Sequence, residues 1–539
     1  MHALLLPLLA VISLQTALDA RTSAAPGVGI AVGIIDHGAQ RLYVSGSDGN
    51  GRPVDAHTLF EIGSVSKTFT ATALAAMALR RQVALTDPIA KYLPKGVRAP
   101  NAGGRQISLL DLAEQRSGLP RLPTNMRGVA GDDPYADYSV ADMYAFLNGY
   151  SLTRAPGSQY EYSNYAIGLL GQLLANRANT TYPRLLDAMV LQPLGMVDTK
   201  LVVTGATNPD RLAVAHNAYG SAVRAWHFES VAPGGGVASS LSDMLKYLRC
   251  NLGQGPLGHA CLFAQRPRAE GMPNHRIGLV WNLNARNGIV SHNGATNGSY
   301  AMIAISRDRQ TGVVVMSNGA GVDDIATHVL VPSYPIGGCP SSVAAVKTDP
   351  ASYAGVYCNA LLGTTFTVDA SPKANSLSIA LLPQPSESYA QIARDSFYAA
   401  AYGAEFKFLR DGGNVVGLTL LQGGQTIPAA RLAAEGKPLK ALSQFVPHSM
   451  TLDRATLQQY VGTYAVVGLG AFTVTLHSDG LYVQLTGQPA APVYASAKDQ
   501  FFYEVVDARI DFERSSSGAV TALVLHQGGQ EIRAPRTSP

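Results

Sequence analysis

Phe60-Glu61-Ile62-Gly63-Ser64-Val65-Ser66-Lys67-Thr68-Phe69 opens a long Ala-rich apolar run that continues to Arg80. The run reads as a buried helix over Ser64–Arg80. Ser64 and Lys67 stand at i and i+3, so their side chains share one face, about 5–6 Å apart. Ser64 falls at the first turn, where main-chain N–H groups lack intrahelical partners and can stabilise a developing oxyanion. A lysine desolvated beside other donors loses its proton and can act as a base, so Ser64 and Lys67 make a nucleophile–base pair. Taken alone, the same residues also fit an N-cap and a solvated helix lysine. A chain of this length carries S-x-x-K about once by chance, and it occurs here once.

Two further motifs lie downstream. Tyr162-Ser163-Asn164 follows a Pro156-Gly157 turn and precedes another apolar helical run. A phenol can relay a proton to a leaving group, and an Asn can hold an amide carbonyl or orient the lysine. His292-Asn293-Gly294-Ala295 precedes the strand expected near Ser299–Ser306. A glycine there admits close main-chain approach, and the Ala295 N–H can serve as a second oxyanion donor. Each pattern also has a weaker second copy, Tyr357-Cys358-Asn359 and His526-Gln527-Gly528. The three motifs in order outweigh any one of them.

Around these motifs the chain reads as α+β. Gly27–Gly46 gives two strands about a Gly-containing turn. The middle is helical, and strands return near Ser299–Ser306 and Gly312–Ser317. The 539 residues suggest about three domains. An apolar content of 47% is ample for a core and excludes disorder. Net charge is only +4, from 41 Lys and Arg against 37 Asp and Glu, with no basic run. The electrostatic footprint of nucleic-acid binding is therefore absent, and no apolar stretch is long enough to span a membrane.

Ala3–Leu14 has the length of a signal-peptide apolar region, although only His2 precedes it and Leu18-Asp19-Ala20 is a poor cleavage site. We read a signal peptide over 1–20 and a periplasmic or secreted protein; a packed first helix is the other reading. Cys250, Cys261, Cys339 and Cys358 allow three pairings. Cys250–Cys261 with Cys339–Cys358 would close two short loops, as an oxidising compartment allows, and four separate buried thiols are the alternative. No Cys/His cluster has zinc spacing. Neither a metal nor a cofactor is expected.

The last third repeats itself. Tyr353-Ala-Gly355-Val-Tyr357 returns as Tyr460-Val-Gly462-Thr-Tyr464, and Phe366-Thr-Val368 as Phe472-Thr-Val474. Gln384-Pro385 returns as Gln488-Pro489, and Leu421-Gln-Gly-Gly-Gln425 as His526-Gln-Gly-Gly-Gln530. Short strands and Gly-rich turns in each copy point to two small antiparallel β-barrels, since closure removes exposed edges. The expected division is a catalytic unit over 21–335, a linker at 336–348, a first barrel over 349–433, a linker at 434–449 and a second barrel over 450–535.

FEIGSVSKTF around Ser64, Ser117-Gly-Leu-Pro120, PGSQYEYSN ending at Asn164, Gln192-Pro-Leu-Gly-Met196, Pro233-Gly-Gly-Gly-Val237 and the HNG at His292 together resemble the serine β-lactamase and penicillin-binding protein superfamily, in its class C and esterase-like branch. The resemblance covers about residues 25–335. It implies a layered fold with the site between a helical lobe and a five-stranded type of antiparallel sheet. It also implies Ser64 as nucleophile, Lys67 as base and Tyr162 as proton relay, with Asn164, His292, Gly294 and Ala295 binding substrate. The chain departs from the S-D-N and K-T-G patterns. Y-S-N points to class C. H-N-G puts a histidine where a lysine would meet a substrate carboxylate, as in esterases, D-aminopeptidases and some D,D-peptidases. The two barrels resemble the D-aminopeptidase layout, whereas Asp133-Pro-Tyr-Ala-Asp137 looks more like periplasmic D,D-carboxypeptidase/β-lactamase-like proteins.

The expected function is a serine hydrolase acting through an acyl-enzyme on D-Ala-type peptides, β-lactams or both. The alternatives are a carboxylesterase or D-aminopeptidase, and a penicillin- or wall-sensing protein that acylates without turnover. The expected partner is a small-molecule or peptide substrate, a peptidoglycan-derived peptide, β-lactam or ester. With an ordinary pKa near ~6.5, His292 would make recognition of a substrate carboxylate strengthen as pH falls.

Overall fold

The strand Gly29–Asp36 is buried almost throughout because it lies between two neighbours and under helices on both faces. It pairs antiparallel with Ala39–Gly46 on one side and Thr311–Ser317 on the other, with Ile30 opposite Ser317 and Asp36 opposite Thr311. The structure, a computed structural model, describes residues 13–126, 133–202, 211–343, 352–373, 375–422, 425–444, 450–466, 470–477, 480–486, 490–503, 508–527 and 530–538. The sheet continues through Tyr300–Ser306 and Val290–Ala295, which makes the five long strands expected. Three strands of two or three residues, Asn282–Asn284, His275–Ile277 and Ala269–Glu270, extend it to eight. They are too short and too broken by turns to show as alternation in the sequence.

One face of the sheet carries the helix Leu241–Asn251; the other carries Leu14–Thr22 and Asp323–Leu330. The helical lobe lies in the chain between the outer strands. Its central helix, Ser66–Leu79, is buried from Ser66 to Met77. Phe69 stacks on Tyr247 with ring centroids 4.1 Å apart. The threonines of that helix have partners: Thr70 Oγ1 donates to Pro233 O at 2.8 Å, and Thr72 Oγ1 lies 2.9 Å from the Tyr247 hydroxyl. Buried polar groups without partners would cost ~1–3 kcal/mol each.

Two closed eight-stranded antiparallel barrels follow, spanning Gly355–Arg431 and Gly462–Ser538. The repeat seen in the sequence is physical. Tyr357 donates to Tyr353 O at 2.6 Å in the first barrel, and Tyr464 to Tyr460 O at 2.7 Å in the second. Arg410 binds Asp395 at 2.8 Å, and Arg514 binds Asp499 at 2.7 Å. The repeat landmark Gln488-Pro489 and both Gly-Gly pairs lie outside the described residues.

Residues 1–12 lie outside the described residues as well. Leu18-Asp19-Ala20 falls inside the helix Leu14–Thr22, where Leu18 is fully buried. Arg21 in the same helix forms a two-pronged ion pair with Asp324 and donates to Gly321 O and Gly337 O. Among the described residues no helix is long and apolar enough to cross a membrane. Both short-loop disulfides are present, Cys250–Cys261 and Cys339–Cys358. The second ties the segment leaving the catalytic unit to the first strand of the first barrel.

The first barrel also closes part of the core beneath the eight-stranded sheet. Leu361, in the turn after Gly355–Asn359, packs with Val28, Ile30, Ala320 and Val322, and its carbonyl accepts the Gly321 N–H at 3.1 Å. Asn359 is fully buried and donates to Ala218 O at 3.0 Å and Pro428 O at 2.9 Å. Leu361→Ala is therefore expected to destabilise the catalytic unit by about 2–5 kcal/mol. A lowered unfolding temperature for Ser64-dependent activity checks it. An unchanged temperature would show the barrel to be an independent appendage.

Candidate active site

Ser64 sits on a single 3₁₀ turn, Gly63–Val65, that leads into the helix Ser66–Leu79. The turn is held in place by two glycines. Gly63 has φ 47°, and a side chain there would press on the main chain of Ala295. A Cβ on Gly294 would overlap Ile62 O and lie 2.7 Å from Ser64 N. The strand Val290–Ala295 and the Ser64 turn thus touch main chain to main chain, the arrangement two oxyanion donors require.

Lys67, one helical turn on, is fully buried. Its Nζ lies 2.9 Å from Ser64 Oγ and donates to Gly234 O at 2.6 Å. Gly234 belongs to the Pro-Gly-Gly-Gly turn, which Ser66 holds by accepting the Val237 N–H at 3.0 Å. Burial, and secondarily the charge of Arg121, hold the Lys67 pKa well below the ordinary lysine value. No carboxylate adjoins the amine among its hydrogen-bond partners, so the neutral form is favoured.

Tyr162 donates to the same Ser64 Oγ at 2.7 Å. Burial raises its pKa well above the usual phenol value, so it remains protonated. The intervening Ser163 is the fastener. It caps the helix Asn164–Arg177 by accepting the Ala166 N–H at 2.9 Å, and its hydroxyl donates to Pro120 O at 2.6 Å. Asn164 donates from Nδ2 to the Tyr135 hydroxyl at 3.1 Å, while its Oδ1 is buried without a partner.

A narrow cleft opens on Ser64, lined among others by Asn164, Ala295, Tyr135, Trp226 and Phe228. Tyr135 stacks on Phe228 at 5.0 Å and meets Trp226 edge-on at 5.4 Å. Trp226 Nε1 is buried with no partner among the described residues. Glu61 lies behind this wall, accepting the Trp226 N–H at 3.0 Å and the Thr296 hydroxyl at 3.2 Å. Burial pushes its carboxyl up to about 7.

Ser64, Lys67, Tyr162, Asn164, Gly294 and Ala295 thus come together around one cleft. His292 lies beside them, buried and within reach of the Lys67 charge. Its side chain is 3% exposed, and Nδ1–H turns back to donate to Asn293 O at 2.7 Å. Burial, followed by the nearby Lys67, pushes its pKa down to about 4. The expected titration near 6.5 is displaced because His292 shares the strand face of Gly294 that meets the Ser64 turn and is buried there beside Lys67. The second motif copies serve the barrels: Tyr357 and Asn359 as described above, and His526 between Asp511 and Glu531.

Sequence reading passed over Glu61, Arg121, Tyr135, Trp226 and Phe228 as site residues. Glu61 stood inside the FEIGS stretch, Tyr135 inside Asp133–Asp137, and Arg121 directly after Ser117-Gly-Leu-Pro120. Trp226, one of two tryptophans, had no neighbouring motif.

Gly294→Ala should force the strand away from the Ser64 turn. Acylation is expected to slow about 10²–10³-fold, as when an oxyanion donor is lost. Stopped-flow labelling checks this, and a rate within threefold of wild type would contradict the close-approach argument.

The Beta-lactamase family matches residues 18–331, and residues 447–536 match a domain of unknown function, DUF3471. The D-alanyl-D-alanine-carboxypeptidase/endopeptidase AmpH of Escherichia coli (strain K12) is 33% identical over 228 residues, covering 41% of this chain and 56% of that protein. A beta-lactamase of Pseudomonas fluorescens is 32% identical over 228 residues, covering 42% of this chain and 60% of that protein. The matches thus span little more than half the length of these relatives. The crystal structure of a beta-lactamase/D-alanine carboxypeptidase from Yersinia pestis complexed with citrate superposes with a TM-score of 0.51 at 26% identity, covering 57% of this chain and 92% of that one. With more than half of its length matched, and with the Ser64 turn, the buried Lys67 and the antiparallel sheet arranged as described, this chain belongs to the beta-lactamase family.

Proposed function

We propose that this chain is a serine hydrolase that acts through an acyl-enzyme on Ser64, with D-Ala-type peptides or β-lactams as acyl donors. The observation that carries the reading is the pair of contacts on one oxygen, 2.9 Å from Lys67 Nζ and 2.7 Å from the Tyr162 hydroxyl. Lys67, held neutral by burial, takes the Ser64 proton as Oγ bonds to the substrate carbonyl carbon. The Ser64 and Ala295 N–H groups stabilise the resulting oxyanion. Tyr162 passes a proton to the departing group as its bond to the carbonyl carbon breaks. Water then adds to the acyl-enzyme, the ester bond to Oγ breaks, and Oγ regains its proton. Asn164 and Trp226 offer an acceptor and a donor without other partners, suited to an amide of the substrate. The relatives' printed activities and the two disulfides support a hydrolase of the cell envelope, exported to the periplasm or secreted.

A second reading, a carboxylesterase, is favoured by one observation. His292 is neutral and buried where K-T-G proteins carry a lysine. A neutral ester loses nothing by that.

The test is to label with a fluorescent penicillin, digest, and locate the adduct. It is expected on Ser64 and absent in Ser64→Ala, whose turnover should fall by about 10⁶-fold. An adduct elsewhere would sink the assignment. Labelling without steady-state turnover would mark a sensor, and turnover of neutral esters with no penicillin adduct an esterase. Tyr162→Phe should lose about 10²–10⁴-fold in turnover, with Tyr357→Phe as the barrel control.

The pH profile follows from the same groups. Lys67 must be unprotonated to act, so acylation should rise with pH and level off well below 10.5. Because His292 is neutral above about 4, it should add no change in the preference for carboxylated over neutral substrates between pH 5.5 and 8.5. A preference that tracks a pKa near 6.5 and disappears in His292→Gln would reverse that conclusion.

A further inference from the structure

A cleft that takes acyl donors bearing a carboxylate needs a cation, and the two basic groups nearest Ser64 do not supply one. Lys67 and His292 are both buried, and burial favours their neutral forms. Arg121 stands at the rim, directly after Pro120. Its main chain is fixed, because Arg121 O accepts the Asn164 N–H at 3.1 Å and the Tyr165 N–H at 3.3 Å at the start of the Asn164–Arg177 helix. Its side chain is exposed. The guanidinium carbon lies 5.3 Å from the centre of the Tyr162 ring, the same ring that holds Lys67 Nζ at 4.8 Å.

The groups that feel the Arg121 charge are Lys67 and the phenols of Tyr135, Tyr160 and Tyr162, and burial raises the pKa of all three phenols. None of them is an anion at neutral pH. Among the described residues no carboxylate pairs with Arg121, and its N–H groups make no hydrogen bond within the protein. An exposed guanidinium without a carboxylate partner therefore rests on the tyrosine that contacts Ser64.

We propose that Arg121 is a specificity-determining residue that reads a carboxylate on the departing half of the substrate. The inference rests on the reading of Ser64 as nucleophile and Tyr162 as the donor to the leaving group. The Tyr162 ring carries the hydroxyl that contacts Ser64 and lies under the Arg121 guanidinium, which puts a cation within one ring's breadth of a group that meets that hydroxyl. An arginine and a carboxylate join by two parallel charge-assisted hydrogen bonds, a geometry that a lysine cannot reproduce. The substrate class is then acyl donors with an anionic leaving group, and the cation sits on the helical-lobe side of the cleft instead of on the strand carrying His292.

The experiment uses the full chain and a matched pair of acyl-D-alanyl depsipeptides. In one the leaving hydroxy acid carries a free carboxylate; in the other that carboxylate is the methyl amide. The readout is the ratio of kcat/KM for the two, because loss of the Arg121 charge also acts on Lys67 and would move both substrates together. Arg121→Gln should lower the ratio about 10- to 100-fold, and Arg121→Lys should restore part of it. Arg224→Gln is the charge control. Arg224 is an exposed arginine two residues before Trp226 whose main-chain oxygen accepts from Asn297, and its loss should leave the ratio within twofold. An unchanged ratio in Arg121→Gln, or an equal fall in Arg224→Gln, overturns the proposal.

Calorimetric binding of the same two compounds to Ser64→Ala and to Ser64→Ala/Arg121→Gln separates this failure from failure of the hydrolase reading. Carboxylate-selective binding that depends on Arg121 upholds the anchor even if the wild type turns over neither compound. Equal binding of both compounds to Ser64→Ala overturns the anchor, whatever the wild type hydrolyses.

Discussion

Burying the amine of Lys67 is the constraint on which the site depends. A buried ammonium needs a counter-charge, and the contacts around this one are all neutral: Ser64 Oγ, Gly234 O and the Tyr162 ring. The group can exist there chiefly as an amine, the form a general base requires. The surroundings follow from that burial. The Pro-Gly-Gly-Gly turn has to reach the helix to offer a carbonyl, so Ser66 and Thr70 hold Val237 and Pro233 against it. Tyr162 has to close the remaining side, so Ser163 binds the loop at Pro120 and caps the next helix.

The second constraint is contact between main chains. Gly63 and Gly294 bring the Ser64 turn and the last residues of a sheet strand closer than side chains allow. The same strand buries His292, so the feature that assembles an oxyanion site removes a charge from the cleft. In the proposed reading, electrostatic recognition of an anionic substrate falls to Arg121, which rests on Tyr162. The barrel contact belongs to this account. Asn359 holds Ala218, and Gly298 packs against His216, so the segment leading to Trp226 is braced between the first barrel and the turn that follows Ala295.

Local patterns made much of this legible. Ser64 and Lys67 are three residues apart on one helix, and helix geometry alone puts them side by side. The two barrels were readable because Tyr357 and Tyr464, each bonded to a tyrosine carbonyl four residues earlier, recur with their flanking glycines. The long strands were readable from their apolar content. The short strands between Ala269 and Asn284 were not, since two or three residues carry no periodicity.

The sequence by itself determined that Ser64 and Lys67 stand side by side, the order of motifs and the repeat, because each is a relation between near neighbours or between copies. Only the tertiary structure decided which groups are charged. His292 and Lys67 have ordinary side chains whose protonation depends on burial by elements far away in the chain, and Tyr162 reaches Ser64 across 98 residues. It also decided that Arg121 is exposed over the Tyr162 ring while Arg21 is closed against Asp324. Desolvation and pairing are properties of the packed surroundings, and no residue carries them in its own covalent structure.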